Sequence, residues 1–364
     1  MKSEERLQAL QGQMAKAGVD LTALGPGAHM QYLLGFAPHP DERPCLLLVS
    51  ANGSTMLMPS LNADGSREHT DQSFHMWADA DGPDTALKTA LADIGAGNAE
   101  TISLDETMRA DFALLLKDHL PNARHVFTEA TVGALRMCKD EDEYAVLKRN
   151  ALLNDRAFLA AAEAIKPGMS ELEIAAVVRE AHGTEDGRTE FCIVGAGGNG
   201  AFPHHATGER KVAAGDAIVV DIGARKDGFP SDMTRMVVVG EPPEGYEEVH
   251  SVVEAAVQAA MAAARPGVEA RVVDKAARDV ISAAGYGDYF MHRTGHGLGI
   301  EVHEPPYITS TSKTVLQEGA VFSIEPGIYL SGRFGIRLED IVILRADGPE
   351  ILSGLSRDFV TVAV

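Results

Sequence analysis

Cysteine is scarce in this chain, and positive charge is in deficit. Only three of the 364 residues are cysteine, Cys45, Cys138 and Cys192, scattered and odd in number. That excludes a disulfide framework and a cysteine-built metal site, and it suits a reducing compartment, so a cytoplasmic protein is expected. Lysine and arginine number 32 against 53 acidic residues, a formal net charge of −21. So acidic a surface repels phosphate backbones, and nucleic acid is not an expected partner. Long apolar runs are missing too. None approaches the ~20 residues of a membrane span. The opening Met-Lys-Ser-Glu-Glu-Arg leads into a polar amphipathic pattern instead of an apolar signal core, so neither membrane insertion nor export is expected.

What remains is a chain with 45% hydrophobic residues, long enough for two domains. Residues 4–17 put Leu7, Leu10 and Met14 on one helical face. Leu21–Leu24, an amphipathic piece at 28–34, Cys45–Val49, a turn at 51–54 and Thr55–Met58 follow. A helix near 85–94, a strand near 101–104, a helix near 107–118 and a strand near 124–127 continue the alternation of an α/β domain, placed at 1–132. Its polar stretch Pro38-His-Pro-Asp-Glu-Arg43 reads as a strand-connecting loop, with closure over a substrate as the functional alternative. A second domain is placed at 133–364. It opens with a long helix at 141–165 that Pro167-Gly168 stops, and Ser170-Glu-Leu-Glu173 is a capping box for the next. Two more helices, 244–265 and 270–284, end at Pro266-Gly267 and Gly285. The order is helix, helix, hairpin, twice over, and a pseudo-twofold fold would bring both hairpins to one centre.

Both hairpins are acidic. Runs 217–222 and 233–239 flank an Asp-Gly turn signal at 227–228, and each side brings one carboxylate, Asp221 and Asp232. Folding about 226–228 sets them opposite one another to within a residue of register. In the second hairpin, Val321–Glu325 and Ile336–Leu344 carry Glu325 and Glu339 about a turn at Ser331-Gly332-Arg333. Cross-strand neighbours lie about 5 Å apart at Cβ. Like charges at that spacing inside apolar strands destabilise the sheet unless a cation lies between them.

Gly195-Ala-Gly-Gly-Asn-Gly200 matches a dinucleotide fingerprint in letters, but Ala-Phe-Pro-His-His follows, which cannot start the helix that motif requires. Those glycines are read as letting backbone pass close to a ligand. His296 sits between Gly295 and Gly297, where its ring is uncrowded. Asp221, Asp232, His296, Glu325 and Glu339 therefore make a candidate ligand set of four carboxylates and one imidazole, suited to Mn²⁺, Co²⁺ or Zn²⁺. Four negative charges balance two dications, which about 3.5–4 Å apart can hold a hydroxide between them. His204, His292 and His303 remain as donors to a developing oxyanion or a substrate carboxylate. Arg337 has the strand parity of Glu339 and could pair with a ligand carboxylate or with a substrate anion.

These residues carry a family resemblance. Asp221 in Val-Val-Asp-Ile-Gly, Asp232 in Ser-Asp-Met-Thr-Arg, His296 in Thr-Gly-His-Gly-Leu-Gly, Glu325 in Ile-Glu-Pro-Gly-Ile-Tyr and Glu339 in Arg-Leu-Glu-Asp resemble the five metal ligands of the pita-bread metallopeptidases. The nearest branch resembles prolidase and aminopeptidase P; Pro203-His204, Met291-His292 and Val302-His303-Glu304 match its accessory histidines. Methionine aminopeptidase shares the ligands but generally lacks the N-terminal domain. The resemblance implies an α+β fold: a creatinase-like α/β N-terminal domain, then a pita-bread catalytic domain. It implies two divalent ions, Mn²⁺ first, hydrolysis of the bond preceding proline in Xaa-Pro dipeptides or longer peptides by a metal-bridging hydroxide, and a homodimer. By the same resemblance the four acids bind one or both metals, His296 binds one, Glu325 carries the proton, His303 and His292 stabilise the gem-diolate, and His204 contacts the substrate near its proline or carboxylate.

Two alternatives stay open at this stage. One keeps the fold for a creatinase-like or small N-acyl amino acid amidohydrolase. The other is a non-catalytic peptide-binding module, which retention of all five ligands opposes.

Overall fold

The computed structural model describes residues 2–364. The chain divides into two compact units, Met1–Arg136 and Met137–Val364.

The first unit is built on a mixed six-stranded sheet, in order Phe74–Trp77, Gly53–Pro59, Leu46–Ser50, Leu21–Leu24, Thr101–Leu104 and Arg124–Phe127. Leu21, Leu46, Leu48 and Leu57 pack with Leu87, Leu91, Phe112 and Leu116 from helices Asp84–Asp93 and Ala110–His119 into one core. Helix Ser60–Arg67 and the edge strand Phe74–Trp77 were not expected. The helix reads Ser-Leu-Asn-Ala-Asp-Gly-Ser-Arg, too polar to show a stripe, and the strand is a mostly half-buried edge without alternation.

In the second unit the helix, helix, hairpin order recurs as expected. Asp140 and Glu143 cap helix Glu141–Ala164 reciprocally, and Ser170 and Glu173 do so for Glu171–Gly183. This pair packs on a sheet ordered Val360–Val362, Met233–Val239, Ala217–Lys226, Arg188–Ala196. Helices Tyr246–Ala263 and Ala270–Ala283 pack where that sheet and a second one share a core. The second sheet runs Glu304–Ile308, Gly295–Gly297, Val321–Ile324, Asp340–Arg345, Gly348–Ile351. Strands buried on both faces explain the unbroken apolar runs. Ile218, Val220 and Ile222 face the first helix pair, Ala217 and Val219 the second, and Asp221 shares the parity of the latter.

The first hairpin turns on Asp227 and Gly228, both left-handed at φ 52° and 83°, as a two-residue type I′ loop requires. Its register pairs Asp221 with Thr234 and Ile222 with Met233. Asp232 is thus displaced two residues from the position facing Asp221, where a displacement of at most one was expected. The side-chain period is two, so both acids stay on one face. In the second hairpin the turn falls at 331–333 as expected. Ile324 pairs with Asp340 and Gly327 with Arg337, which sets Glu325 opposite Glu339. No helix among the described residues is long and apolar enough to cross a membrane.

Candidate metal centre and substrate cleft

The second unit contains a cleft of about 800 Å³. All five expected ligands line it, with His204, His292, His303 and Arg337. One oxygen or nitrogen from each of Asp232, His296 and Glu339 lies within 4.8 Å of the others, and all three residues are buried. His296 Nε2 stands 3.1 Å from Glu325 Oε1 and 3.7 Å from Asp232 Oδ2. Its Nδ1 is 3.1 Å from the carbonyl oxygen of Gly297, which can only accept, so Nδ1 carries a hydrogen and Nε2 is the nitrogen turned to the acids.

Glycines on both sides of His296 matter for a different reason than ring space. A Cβ on Gly295 would stand 1.9 Å from the Ser323 carbonyl oxygen, and one on Gly297 2.3 Å from that of Pro305. Only glycine lets this three-residue strand run between its neighbours. The Gly195–Gly200 segment likewise approaches backbone: a Cβ on Gly335 would meet the Gly200 carbonyl oxygen at 2.0 Å.

The electrostatics ask for cations. Burial, reinforced by the Glu339, Asp221 and Glu325 carboxylates, pushes the Asp232 carboxyl well above its ordinary range. Burial with Glu325 and Asp221 does the same to Glu339. Burial raises Asp221 as well, against the pull of Arg337. Burial also opposes ionisation of Glu325, but the hydrogen bond and charge of His296 prevail and hold it down at about 2. Asp221 Oδ1 is buried without a hydrogen-bond partner. An orphaned carboxylate oxygen, a ring nitrogen turned to the acids and a donor set of oxygens plus one imidazole nitrogen fit divalent ions.

Neighbouring side chains hold the ligands in place. Thr234 Oγ1 donates to Glu339 Oε2 at 2.7 Å and accepts from Arg337 Nε at 3.1 Å. Buried Arg235 donates to the Glu339 carbonyl at 2.5 Å and to Asp340 at 2.6 Å. Ser323 Oγ accepts the His296 N–H and donates to Glu325 Oε1, both at 2.9 Å. Of the two partners expected for Arg337, the ligand carboxylate is the one it has: it pairs with Asp221 and donates to Tyr329 Oη at 2.8 Å.

His292 donates from Nδ1 to the Arg293 carbonyl and accepts Tyr329 O–H at Nε2, each at 2.8 Å, so both its ring nitrogens are engaged. His303 is different. Its ring packs edge-on against His296 at 4.2 Å between centroids. Burial and the positive neighbours His296 and Arg293 lower its pKa to about 4, so at neutral pH it offers one N–H and one lone pair to the cleft. His204 lines the cleft on a loop anchored by fully buried Glu171, which accepts from the Ala196 and Gly208 amides, Asn199 and His205. Thr234, Ser323 and Tyr329 were not singled out from sequence. Thr234 and Ser323 each lie two residues from an expected ligand, so strand parity could have found them; Tyr329 and Arg293 carried no such signal.

Together the fold and the site define a metal-dependent peptidase with a separate N-terminal domain. The chain belongs to metallopeptidase family M24, whose model matches residues 145–346, and the creatinase/prolidase N-terminal domain matches 6–138. Over 98% of its length it is 30% identical to the Xaa-Pro dipeptidase of Pyrococcus furiosus, covering 99% of that protein. The crystal structure of dipeptidase PepE from Mycobacterium ulcerans superposes with TM-score 0.94 at 36% identity, covering 100% of this chain and 98% of that one. Recombinant prolidase from Thermococcus sibiricus gives 0.89 at 36% identity over the whole of both chains. The expected architecture, a creatinase-like domain followed by a pita-bread catalytic domain, is the one found.

Proposed function

We propose that this protein hydrolyses the peptide bond preceding proline in Xaa-Pro substrates, in the cytoplasm, as a homodimer, with Mn²⁺ as the working metal. The observation that carries this is the convergence of Asp221, Asp232, His296, Glu325 and Glu339 on one buried centre, in a chain whose relatives include Xaa-Pro dipeptidases and prolidases. Catalysis belongs to the domain placed at 133–364 and the creatinase-like domain to 1–132.

Two divalent ions held by those five residues would supply Lewis acidity and a water of lowered pKa. Glu325, kept ionised by His296, takes a proton from the attacking water and returns it to the proline nitrogen. His303, neutral and with free ring nitrogens, donates its N–H to the carbonyl oxygen as charge develops there. His292, expected to serve the same oxyanion, has both ring nitrogens taken and instead orients the Tyr329 hydroxyl at the cleft wall, and His204 contacts the proline side. Arg337 joins this machinery by fixing Asp221 and Tyr329.

Activity on Ala-Pro and on Ala-Pro-Xaa peptides should vanish with a chelator and return with Mn²⁺, Co²⁺ or Zn²⁺. Protein that cleaves N-acyl amino acids or creatine but no Xaa-Pro peptide under those conditions would replace this reading with the amidohydrolase one.

A further inference from the structure

The second unit buries a charged pair that takes no part in the chemistry described above. Lys139 Nζ donates to Glu304 Oε1 at 2.8 Å, and the two side chains are 2% and 1% exposed. Neither residue lines the cleft. A pair this deeply buried gives up so much hydration that apolar side chains of similar size would stabilise the fold as well or better. Its use therefore lies in what the carboxylate holds.

What it holds is a turn. Residues 298–303 carry the chain from strand Gly295–Gly297, which bears His296, to strand Glu304–Ile308. Gly297 pairs with Glu304, so the connection folds back on itself between those two positions. The Glu304 carboxylate reaches into it. Oε2 accepts the Glu301 amide at 3.3 Å, and a Cβ on Gly299 would stand 2.2 Å from Oε1. The Gly299 amide donates to the Glu301 carbonyl at 3.1 Å. Arg225 Nη1 holds the Ile300 carbonyl at 2.8 Å, and Leu298 and Val302 pack with Leu147, Val321 and Ile341. His303 stands between this turn and Glu304, with its ring edge-on against His296.

Lys139 is itself fixed at the backbone. Its amide donates to the Gly319 carbonyl at 2.8 Å, Cys138 bridges to Ala320, and Asp140 caps helix Glu141–Ala164. Gly319 and Ala320 lead straight into strand Val321–Ile324, at whose end lies Glu325. One ammonium, tied to the strand that presents the proton carrier, thus clamps the turn that presents the oxyanion donor. A shift of about 1 Å between two such groups is enough to cost some 100-fold in rate.

We propose that Lys139 is a positioning residue: acting through Glu304, it sets His303 against the metal centre without touching substrate. The proposal rests on the hydrolytic reading of the site, in which His303 donates to the developing oxyanion, but not on proline. The test compares wild type, K139M, K139M/E304M, H303Q and K139M/E304M/H303Q, each loaded with Mn²⁺, on Ala-Pro. K139M leaves a lone buried carboxylate and should melt well below wild type; K139M/E304M removes that charge and should recover most of the melting temperature. Activity should not recover with it. In K139M/E304M kcat should stay about 10- to 100-fold below wild type while KM moves less than about 3-fold, because a misplaced oxyanion donor is felt in the transition state. With His303 already replaced, the same pair of substitutions should lower kcat by less than about 2-fold further. Wild-type kcat in K139M/E304M, or an equal loss with and without His303, overturns the proposal and leaves the pair a structural one. Hydrogen exchange reads the clamp without substrate. In K139M/E304M the amides of 299–303 should exchange at least ~10-fold faster, while those of helix Glu141–Ala164 keep their rate. Unchanged exchange in the turn also overturns the proposal. A wild type that cleaves no Xaa-Pro peptide defeats the Xaa-Pro reading, and the exchange rates still decide on Lys139.

Discussion

At the residue scale the centre is a set of acids that the fold alone does not want. Asp232 is buried among three other carboxylates, and both burial and those charges oppose its ionisation. D232N should therefore melt at or above the wild-type temperature when both are stripped of metal. Loaded with Mn²⁺ it should gain less than wild type and lose activity by at least ~100-fold, more than is typical of residues that only orient ligands. Calorimetry with and without chelator checks this; a stripped D232N that melts well below wild type would mean the acids are not in conflict. Thr234 works one step removed, between Glu339 and Arg337. T234V should keep the fold and weaken metal binding by about 10- to 100-fold in a competition titration.

At the element scale, close backbone contacts and buried bridges hold the ligand-bearing strands in place. Strand Phe334–Arg337 passes the Gly200 carbonyl so closely that any Cβ on Gly335 collides with it. G335A should destabilise the protein by about 3 kcal/mol, visible in denaturant midpoint, and should lower activity with it, since the displaced strand leads straight to Glu339. His182, on helix Glu171–Gly183, bridges to Thr189 at 2.9 Å and to Asn154 at 3.1 Å, while Asn154 holds the Ile222 carbonyl next to Asp221. Burial lowers the His182 pKa from 6.5 to about 4. Its unfolded form binds a proton more readily than its folded form, so this contribution is complete above pH 6.5 and is lost as pH falls from 6.5 towards 4. In thermal melts across that window H182Q should lose less stability than wild type. An equal loss would assign the acid sensitivity elsewhere.

At the scale of the whole molecule, ions that bind the folded centre stabilise the chain by mass action. Metal at about 1,000 times its dissociation constant adds roughly 4 kcal/mol per site, and the melting temperature should climb with Mn²⁺ concentration and fall on chelation. Much of this architecture is local and therefore legible in the amino-acid order. Leucine runs such as Leu46–Leu48, the Ser170–Glu173 capping box, the Pro-Gly stops and the Asp227-Gly228 turn act within a few residues, so spacing and residue type suffice to locate them. The four acids and one histidine of the centre were legible for the same reason: each sits in a short run whose apolar or glycine company makes it conspicuous. The two-residue offset of Asp232, the Gly295–Gly297 strand threaded between neighbours and the edge strand Phe74–Trp77 were not, because each depends on what lies alongside. The same holds for Arg337 and Lys139. Nothing near position 337 says that its side chain is claimed by Asp221, 116 residues away, and nothing near 139 says that its own is claimed by Glu304, 165 residues away. Residue order determined which groups were available; only the tertiary structure decided which of them found partners, because a buried charge is satisfied by atoms that distant segments bring to it.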